Sequence, residues 1–105
     1  MTTPEDRRRL FNCQTNHLQP DWTGYRGLVL CGVCADEHGS CLSCQPVEEA
    51  EFFTVYGVLA TGECEAISDT DDGAGLDDGI ELAKDLAALS RLPLQFCRAL
   101  PEGLA

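Results

Sequence analysis

The sequence predicts an α+β protein built from two consecutive parts. Residues 1–46 combine a helix-start pattern with four cysteines in two CxxC pairs, which predicts an N-terminal helix and a four-cysteine metal-binding subdomain. Residues 47–105 combine two strand patterns, a helical pattern and a third strand pattern, which predicts a small ββαβ sheet with one helix packed on one face. Because the chain has only 105 residues, its core is modest and can benefit from a metal staple.

The first predicted element is a helix over residues 3–14. Thr3 can cap the first turn, Pro4 suits the first helical position, and the two carboxylates that follow are favoured at the positive helix end. Apolar residues are few, and the three consecutive arginines at residues 7–9 spread around the helix. We therefore expect a solvated terminal helix. The alternative is that the arginines contact an acidic neighbour such as a second copy of the chain.

Residues 16–27 predict a loop that leads into a short strand at residues 28–30. We expect Trp22 and Tyr25 to pack over the metal-binding subdomain, because that subdomain has few apolar residues of its own. The alternative for Trp22 is an exposed anchor for a binding partner, since tryptophan is enriched at the centres of interfaces.

The two CxxC pairs are the strongest chemical signal in the chain, and their cysteines are Cys31, Cys34, Cys41 and Cys44. A CxxC pair can supply two thiolates from one tight turn, and zinc favours four such ligands in a tetrahedron at about 2.3 Å. The loop between the pairs allows a hairpin that brings the two turns face to face, and Gly39 suits its bend. The spacing therefore predicts Zn²⁺ bound by these four cysteines, in a closed structural site without an open coordination position.

In this spacing, residues 28–46 resemble short zinc ribbons and zinc knuckles. The resemblance implies metal binding by the four cysteines, in a class that includes nucleic-acid binders, protein binders and structural staples. The alternatives are free thiols or two disulfides, iron in place of zinc, and a CxxC redox protein. A redox site is disfavoured, because it needs one CxxC at the start of a helix in an α/β chain.

Additional ligand-type residues could form a second metal site, and they are Cys13, His17, His38 and Cys64. The simpler interpretation is that Cys13 is a small buried apolar residue and His17 a surface histidine. Cys64 and Cys97 fall in strand patterns, where free cysteines are common.

Residues 51–59 have the strongest strand pattern in the chain, being mostly aromatic and β-branched. Residues 61–62 predict a turn, and residues 63–68 a returning strand. Its alternation places Cys64 and Ala66 on one face, with glutamates on the other.

Residues 68–79 predict a loop rich in glycine and aspartate whose last aspartates begin a helix. An EF-hand register fails because Gly73 and Ala74 stand where a ligand and a glycine are needed, and an irregular calcium site is the alternative. Apolar residues at helical spacing predict a helix from about residue 77 to residue 91, which Pro93 stops. Residues 94–98 predict the third strand.

The formal net charge is −11, and its distribution is uneven. No lysine or arginine occurs in residues 27–83, whereas carboxylates are frequent there. The basic residues are Arg7, Arg8, Arg9, Arg26, Lys84, Arg91 and Arg98. Nucleic-acid affinity comes largely from lysine and arginine on phosphates, so we do not expect direct binding of DNA or RNA.

These observations predict a non-enzymatic, zinc-stapled acidic module that acts by protein–protein interaction on a partner with a basic surface. In charge and size the chain is similar to nucleic-acid mimics, including phage-encoded inhibitors of defence nucleases, whose carboxylates stand in for phosphates. The residues expected to meet the partner are Trp22, Phe52, Tyr56, Val58, Glu63, Glu65, Asp71, Asp72, Asp77 and Asp78.

The main alternative is a structural accessory subunit or a dimeric assembly factor whose acidity serves only solubility or adaptation to high salt. The strand at residues 52–59 is apolar on both faces, and one helix covers only one of them. Either the metal-binding subdomain covers the other face, or a partner or second copy does. An interface near Phe52, Tyr56 and Val58 would follow.

The sequence shows no catalytic constellation, because neither of its two histidines stands in a nucleophile motif. The first residues lack the apolar core of a signal peptide, and no apolar run is long enough to cross a bilayer. We therefore expect a cytoplasmic protein without membrane contact, in a compartment where thiols stay reduced.

Overall fold

The computed structural model describes residues 4–101. The expected helix cap Thr3 and the side chain of Arg7 lie outside this description. Two α-helices and five β-strands follow one another along the chain. They are α1 (Pro4–Leu10), β1 (Tyr25–Ala35), β2 (Cys41–Gln45), β3 (Phe52–Leu59), β4 (Cys64–Asp69), α2 (Leu76–Ser90) and β5 (Leu94–Phe96). The α+β class is confirmed, and the order β3, β4, α2, β5 agrees with the predicted ββαβ pattern.

All five described strands belong to one sheet. Four of them lie in the order β2, β1, β3, β4, and each pairs with its neighbour in antiparallel orientation. The exception is β5, which pairs with β1 in parallel. Because β3 runs along one edge of β1 from Tyr25 to Val33, the strands β2 and β5 must share the opposite edge. β5 occupies the part around Leu28 and Leu30, and β2 the part from Gly32 to Ala35.

The position of β1 differs from the sequence prediction. The short strand expected at residues 28–30 is an 11-residue strand that includes the first CxxC pair. It pairs with β3 at eight register positions, so an element expected in a separate subdomain is the central strand. The predicted boundary between residues 46 and 47 stays a prediction, but strands from both sides of it share one sheet. The third strand also differs, since it pairs with β1 and not with the β3–β4 hairpin.

The helix α2 packs on one face of the sheet and encloses the core there. Leu30, Phe53 and Ile67 from the sheet are fully buried with Leu82 and Leu86 from the helix. Gly79 allows the close approach, because a Cβ atom at this position would lie 2.9 Å from the Cβ of Phe53. The opposite face of the sheet, called here the open face, carries residues whose side chains alternate with these core residues.

The segment after α1 covers the outer edge of β4. The N–H of Cys13 donates to the carbonyl of Ile67, and the Asn12 side chain exchanges hydrogen bonds of 2.7 and 2.8 Å with the backbone of Asp69. Phe11 is fully buried beside them. An edge strand capped in this way is protected from pairing with another chain. The expected helix to residue 14 ends at Leu10, because the following residues form these edge contacts instead.

Candidate metal centre

Three cysteines from three different strands meet at one point. The Sγ atoms of Cys31, Cys44 and Cys97 all lie within 4.8 Å of one another. Cys31 and Cys97 are buried, whereas Cys44 is exposed. These three cysteines lie close enough together to hold a metal ion.

The sheet topology explains why these three residues converge. Cys31 lies where the partner of β1 changes, because Leu30 pairs with Phe96 of β5 and Gly32 pairs with Gln45 of β2. The end of β5 and the end of β2 therefore both reach Cys31. Cys97 directly follows the paired part of β5, and its N–H donates 2.9 Å to the carbonyl of Leu30. Cys44 directly precedes the Gln45 pair.

A bulge in β2 turns the side chain of Cys44 toward the cluster. The register between β1 and β2 shifts between the Gly32 and Cys34 pairs, so that β2 has one extra residue there. Cys44 has a φ of 59°, in the left-handed region that non-glycine residues adopt rarely. Bulges often redirect a side chain at functional sites, and a strained cysteine in this conformation is consistent with such a role.

The sulfur separations are close to those of a tetrahedral zinc site. Zinc–sulfur bonds of about 2.3 Å at tetrahedral angles place the sulfurs roughly 3.8 Å apart. The limit of 4.8 Å that the three sulfurs satisfy therefore requires a contraction of no more than about 1 Å to bind zinc.

The three thiols differ in their tendency to ionise. Burial raises the pKa of Cys31 well above its ordinary value, and the neighbouring thiols of Cys97 and Cys44 raise it further. A hydrogen bond with Cys97 raises the pKa of Cys44, and burial adds to the rise. Burial also acts to raise the pKa of Cys97, but hydrogen bonds from the Ala99 N–H and the other two thiols and the charge of Arg98 outweigh it, so that this pKa is lowered. Burial thus acts against ionisation at all three thiols, and only at Cys97 do the neighbouring groups outweigh it.

A cavity of about 270 Å³ opens beside the cluster on the open face of the sheet. All three cysteines line it, and its remaining walls include Val29, Tyr56, Cys64 and Arg98. The Tyr56 hydroxyl lies 2.7 Å from the Ser43 Oγ, which ties β3 to β2 across the cavity. The lining is mostly apolar, with one cation beside Cys97.

The structure corrects the predicted four-cysteine cluster, because three cysteines cluster and only Cys31 and Cys44 belong to the predicted set. Cys31 and Cys34 are three residues apart in a regular strand, so their side chains point to opposite faces. Cys41 pairs opposite Ala35 near the end of the hairpin and is exposed. Burial and the carboxylates of Glu51, Glu49 and Asp36 raise the pKa of Cys34, which makes it a poor thiolate.

The residues of the predicted second site are not brought together in the described part of the chain, where the only metal-type group is the three-cysteine cluster. Cys13 is exposed, and its Sγ donates 3.3 Å to the Oδ1 of the adjacent Asn12. Burial raises the pKa of Cys13 to about 12, with a further rise from Asp69. His17 ends the short 3₁₀ turn at Thr15–His17. His38 is exposed in the β1–β2 hairpin, and Cys64 begins β4.

Cys97 belongs to the cluster although the sequence did not indicate it as a candidate ligand. It was expected as a free cysteine inside a strand, and it is a buried residue directly after β5. No local spacing marks it, because no other cysteine stands near it in sequence. The parallel pairing of β5 with β1 brings it to Cys31 and Cys44.

The aromatic and apolar residues that were predicted to contact a partner lie in two places, beside Phe11 and on the open face. Trp22 is half-buried in a tilted contact with Phe11 at 6.3 Å and with Tyr25 at 6.1 Å between ring centroids. It therefore packs against the chain's own aromatic residues and not over the metal cluster. Phe52, Tyr56 and Val58 are half-buried on the open face of β3.

Three acidic loops are joined at one end of the sheet, where β1 and β4 end and β3 and α2 begin. Glu51 connects them through three hydrogen bonds. Its N–H donates to the carbonyl of Val33 at 2.8 Å, and its Oε1 accepts from the Ala35 N–H at 2.6 Å. Its carbonyl accepts from the Gly73 N–H at 2.9 Å. This acidic end comprises Asp36, Glu37, Glu48, Glu49, Glu51, Asp71, Asp72, Asp77 and Asp78. Glu63 and Glu65 lie at the opposite end, where Glu65 accepts a 2.8 Å hydrogen bond from Tyr25.

The described cations lie mostly away from the acidic end. Arg26 is near the start of β1, Lys84 is exposed in the second half of α2, and Arg91 directly follows α2. Arg98 borders the cysteine cluster. Arg8 and Arg9 are the nearest, since they line a cleft of about 500 Å³ together with Asp71 and Asp78. Arg9 also pairs with Asp85 at 2.8 Å. The loops before β3 therefore carry the least compensated negative charge.

Comparisons with protein-family models, with curated proteins and with solved structures found no match for this chain. The assignment of a metal centre therefore rests on the three converging cysteines alone. Among the described residues, none of the helices has the length and apolar character needed to span a membrane.

Proposed function

We propose that this chain is a non-enzymatic acidic binding module, stapled by zinc at Cys31, Cys44 and Cys97, that docks on the basic surface of a partner protein. The partner surface is of the kind that otherwise holds nucleic acid, with the carboxylates of the module in place of phosphates. The observation that carries the proposal is the joining of three acidic loops at one end of the sheet through Glu51.

The gathered charge supports binding over mere solubility. A coat of charge that serves solubility is expected to surround the molecule evenly. Here the loops at residues 36–37, 48–51 and 71–78 are gathered at one end, and residues 27–83 contain no lysine or arginine. Arg8 and Arg9 lie beside the loop at residues 71–78 only. Carboxylates gathered at one end of the molecule add up to a joint negative field there. Such a field accelerates association with a cationic surface.

Zinc bound at the three cysteines would stabilise the strand that carries two of the acidic loops. β2 has only five residues, most of them exposed, and pairs with β1 at only three register positions. It nevertheless links the loops that carry Asp36, Glu37, Glu48 and Glu49. A metal ion that ties Cys44 to Cys31 and Cys97 would hold β2 in place. Soft thiolate ligands favour zinc among the common intracellular divalent ions.

Paired charge variants test the proposal. Glu48 and Glu49 are exposed in the acidic end, and Glu63 and Glu65 are exposed at the opposite end. The variants E48Q/E49Q and E63Q/E65Q remove the same formal charge from the two ends. Tagged wild-type protein is used to capture partners at low salt, cross-links locate the contact, and association rates are measured with the purified partner.

The expected partner is basic, cross-links to the acidic end, and is displaced by duplex DNA. Its association rate should fall several-fold for E48Q/E49Q and change little for E63Q/E65Q. Equal effects of the two variants, or cross-links that lie away from the acidic end, would contradict the proposal.

A second candidate function is assembly through the open face of the sheet. It is favoured by the half-buried side chains of Val29, Tyr56 and Val58, which α2 cannot reach from the other face. A partner subunit or second copy that covers them would make the chain a structural accessory protein. In that case the acidic end would serve solubility.

A further inference from the structure

The zinc staple at Cys31, Cys44 and Cys97 has three protein ligands, whereas zinc in proteins takes four. Among residues 4–101, no further cysteine, histidine, aspartate or glutamate belongs to this close group. A protein site with three ligands keeps its fourth position for water or an exogenous ligand. We propose that the fourth position faces the neighbouring cavity and binds a small thiol compound as its thiolate. This inference rests on the proposed zinc site.

The four remaining cysteines are badly placed to fill the fourth position. Cys13 lies on the outer edge of β4, where its N–H donates to the carbonyl of Ile67. Cys34 points to the opposite face of β1, and Cys41 lies at the far end of the β1–β2 pairing. Cys64 lines the same cavity but begins β4, which is separated from β1 by β3. The backbones of β1 and β4 are therefore two strand spacings, roughly 10 Å, apart. This separation is too large for Cys64 to reach a zinc ion bound at Cys31, since a zinc–sulfur bond measures about 2.3 Å. Cys64 therefore lines the cavity on the side away from the cluster and is not a fourth ligand.

The cavity suits a small, soft ligand. Its volume of about 270 Å³ lies just below the range of about 300–1,000 Å³ that drug-sized molecules occupy, so it fits a ligand of a few heavy atoms. Val29 and the ring of Tyr56 give it apolar walls, which favour a polarisable sulfur ligand with a short carbon chain over water.

Arg98 is the group beside the site that can offset the negative charge which a thiolate ligand adds. Zn²⁺ with three thiolates has a net charge of −1, and a fourth thiolate brings it to −2 by simple addition. Arg98 lines the cavity beside Cys97 and can offset this charge or bind an acidic group of the ligand. The step is ligand exchange, in which the thiol loses its proton to solvent and its sulfur replaces a metal-bound water without any redox change.

Cobalt substitution provides the test. The reduced full-length protein is loaded with Co²⁺ in the presence of a phosphine reductant that contains no thiol, and 2-mercaptoethanol is then added as the probe. The sulfur-to-cobalt charge-transfer band reports the number of thiolate ligands. We expect this band to grow by roughly one third as three thiolates become four. Tetrahedral cobalt bands should be present before and after the addition.

Two variants make the result specific to the cavity. Val29→Phe fills the cavity beside the cluster and should abolish the response to 2-mercaptoethanol while leaving cobalt bound. Cys64→Ser should respond like the wild-type protein. If the wild-type band already shows four thiolates and ignores the probe, or if Cys64→Ser lowers it, the open position is refuted.

The same experiment separates the two proposals. If no cobalt–sulfur band forms at all, the zinc staple itself has failed. If the band forms with three thiolates but 2-mercaptoethanol leaves it unchanged, the staple stands and the exogenous thiolate is rejected. Retention of the circular dichroism spectrum by Val29→Phe ensures that a lost response reflects the filled cavity and not unfolding.

Discussion

The backbone N–H of Cys97 donates a 2.9 Å hydrogen bond to the carbonyl of Leu30, the residue before Cys31. This bond continues the parallel pairing of β5 with β1 by one residue. It places two cysteines that are distant in sequence on the same edge of the central strand. The bulge at Cys44 then supplies the third sulfur from β2. The three-cysteine cluster is thus a consequence of two strands sharing one edge of β1.

The first prediction concerns the ligand set. Cys97→Ser should weaken zinc binding more than about tenfold, since loss of an outer-shell partner alone already costs that much. Cys34→Ser and Cys41→Ser should change the affinity little, because neither belongs to the cluster. Competition with a chromophoric chelator measures all three. Strong effects of Cys34→Ser and Cys41→Ser with no effect of Cys97→Ser would instead support the two CxxC pairs as ligands.

The second prediction concerns metal removal. A chelator should increase amide hydrogen exchange in β2 and around Cys97, because zinc ties both to β1. Exchange in β3 and α2 should change less, since their buried core contacts do not depend on the metal. Hydrogen exchange followed by mass spectrometry gives the comparison. A uniform increase along the described chain would show that the metal supports the whole fold and not β2 in particular.

The third prediction concerns the contact between α2 and the sheet. Gly79→Ala brings a Cβ to 2.9 Å from the Phe53 Cβ, and overpacking of this kind costs about 1–3 kcal/mol. The better helix propensity of alanine returns about 1 kcal/mol. We expect a net loss of about 1 kcal/mol in urea unfolding, from the middle of these ranges. Gly24→Ala is the control, because a Cβ there meets no atom within 4 Å. Equal stability of both variants would mean that the helix can shift away from Phe53.

The fourth prediction concerns alkaline pH. Burial raises the pKa of Tyr25 to about 12, and its hydrogen bond to Glu65 and the charge of that carboxylate add to the rise. The folded protein therefore retains this proton where the unfolded chain loses it. The resulting stabilisation is fully present below the unfolded pKa of about 10 and is lost as the pH rises from there to about 12.

The Tyr25 prediction is checked by ultraviolet titration of tyrosinate, with Tyr25→Phe to identify the signal. Glu65→Gln should lower the pKa of Tyr25 but leave it above the ordinary value, because burial remains. If the signal assigned to Tyr25 titrates at the ordinary pKa of tyrosine in the folded protein, this result would argue against the Tyr25–Glu65 contact.

The fifth prediction concerns the open face of the sheet. Tyr56→Glu should break any association that uses this face, because it places a charge among Val29 and Val58. Sedimentation or native mass spectrometry measures the assembly, and circular dichroism measures the fold. Tyr56→Phe is the matched control, since it keeps the apolar surface and loses only the 2.7 Å contact with Ser43. If assembly and fold both survive Tyr56→Glu unaltered, this face is not an interface.

The elements of the second half follow from local patterns in the sequence. The apolar pattern at residues 51–59 corresponds to β3 (Phe52–Leu59), and the helical spacing before Pro93 corresponds to α2 (Leu76–Ser90). These patterns are local, since alternation with period 2 or 3.6 and a proline stop need only neighbouring residues. The presence of cysteines suited to metal binding was also visible from spacing alone.

Long-range strand pairing selects the cysteines that meet. The CxxC spacing implied tight turns, but the pairing of residues 25–33 with β3 extends β1 through Cys31 and Cys34 and sends their side chains to opposite faces. Cys97 joins because β5 pairs with the part of the β1 edge that β2 leaves free. Strand pairing depends on contacts between residues far apart in the chain, and local spacing carries no information about which edge a distant strand will find.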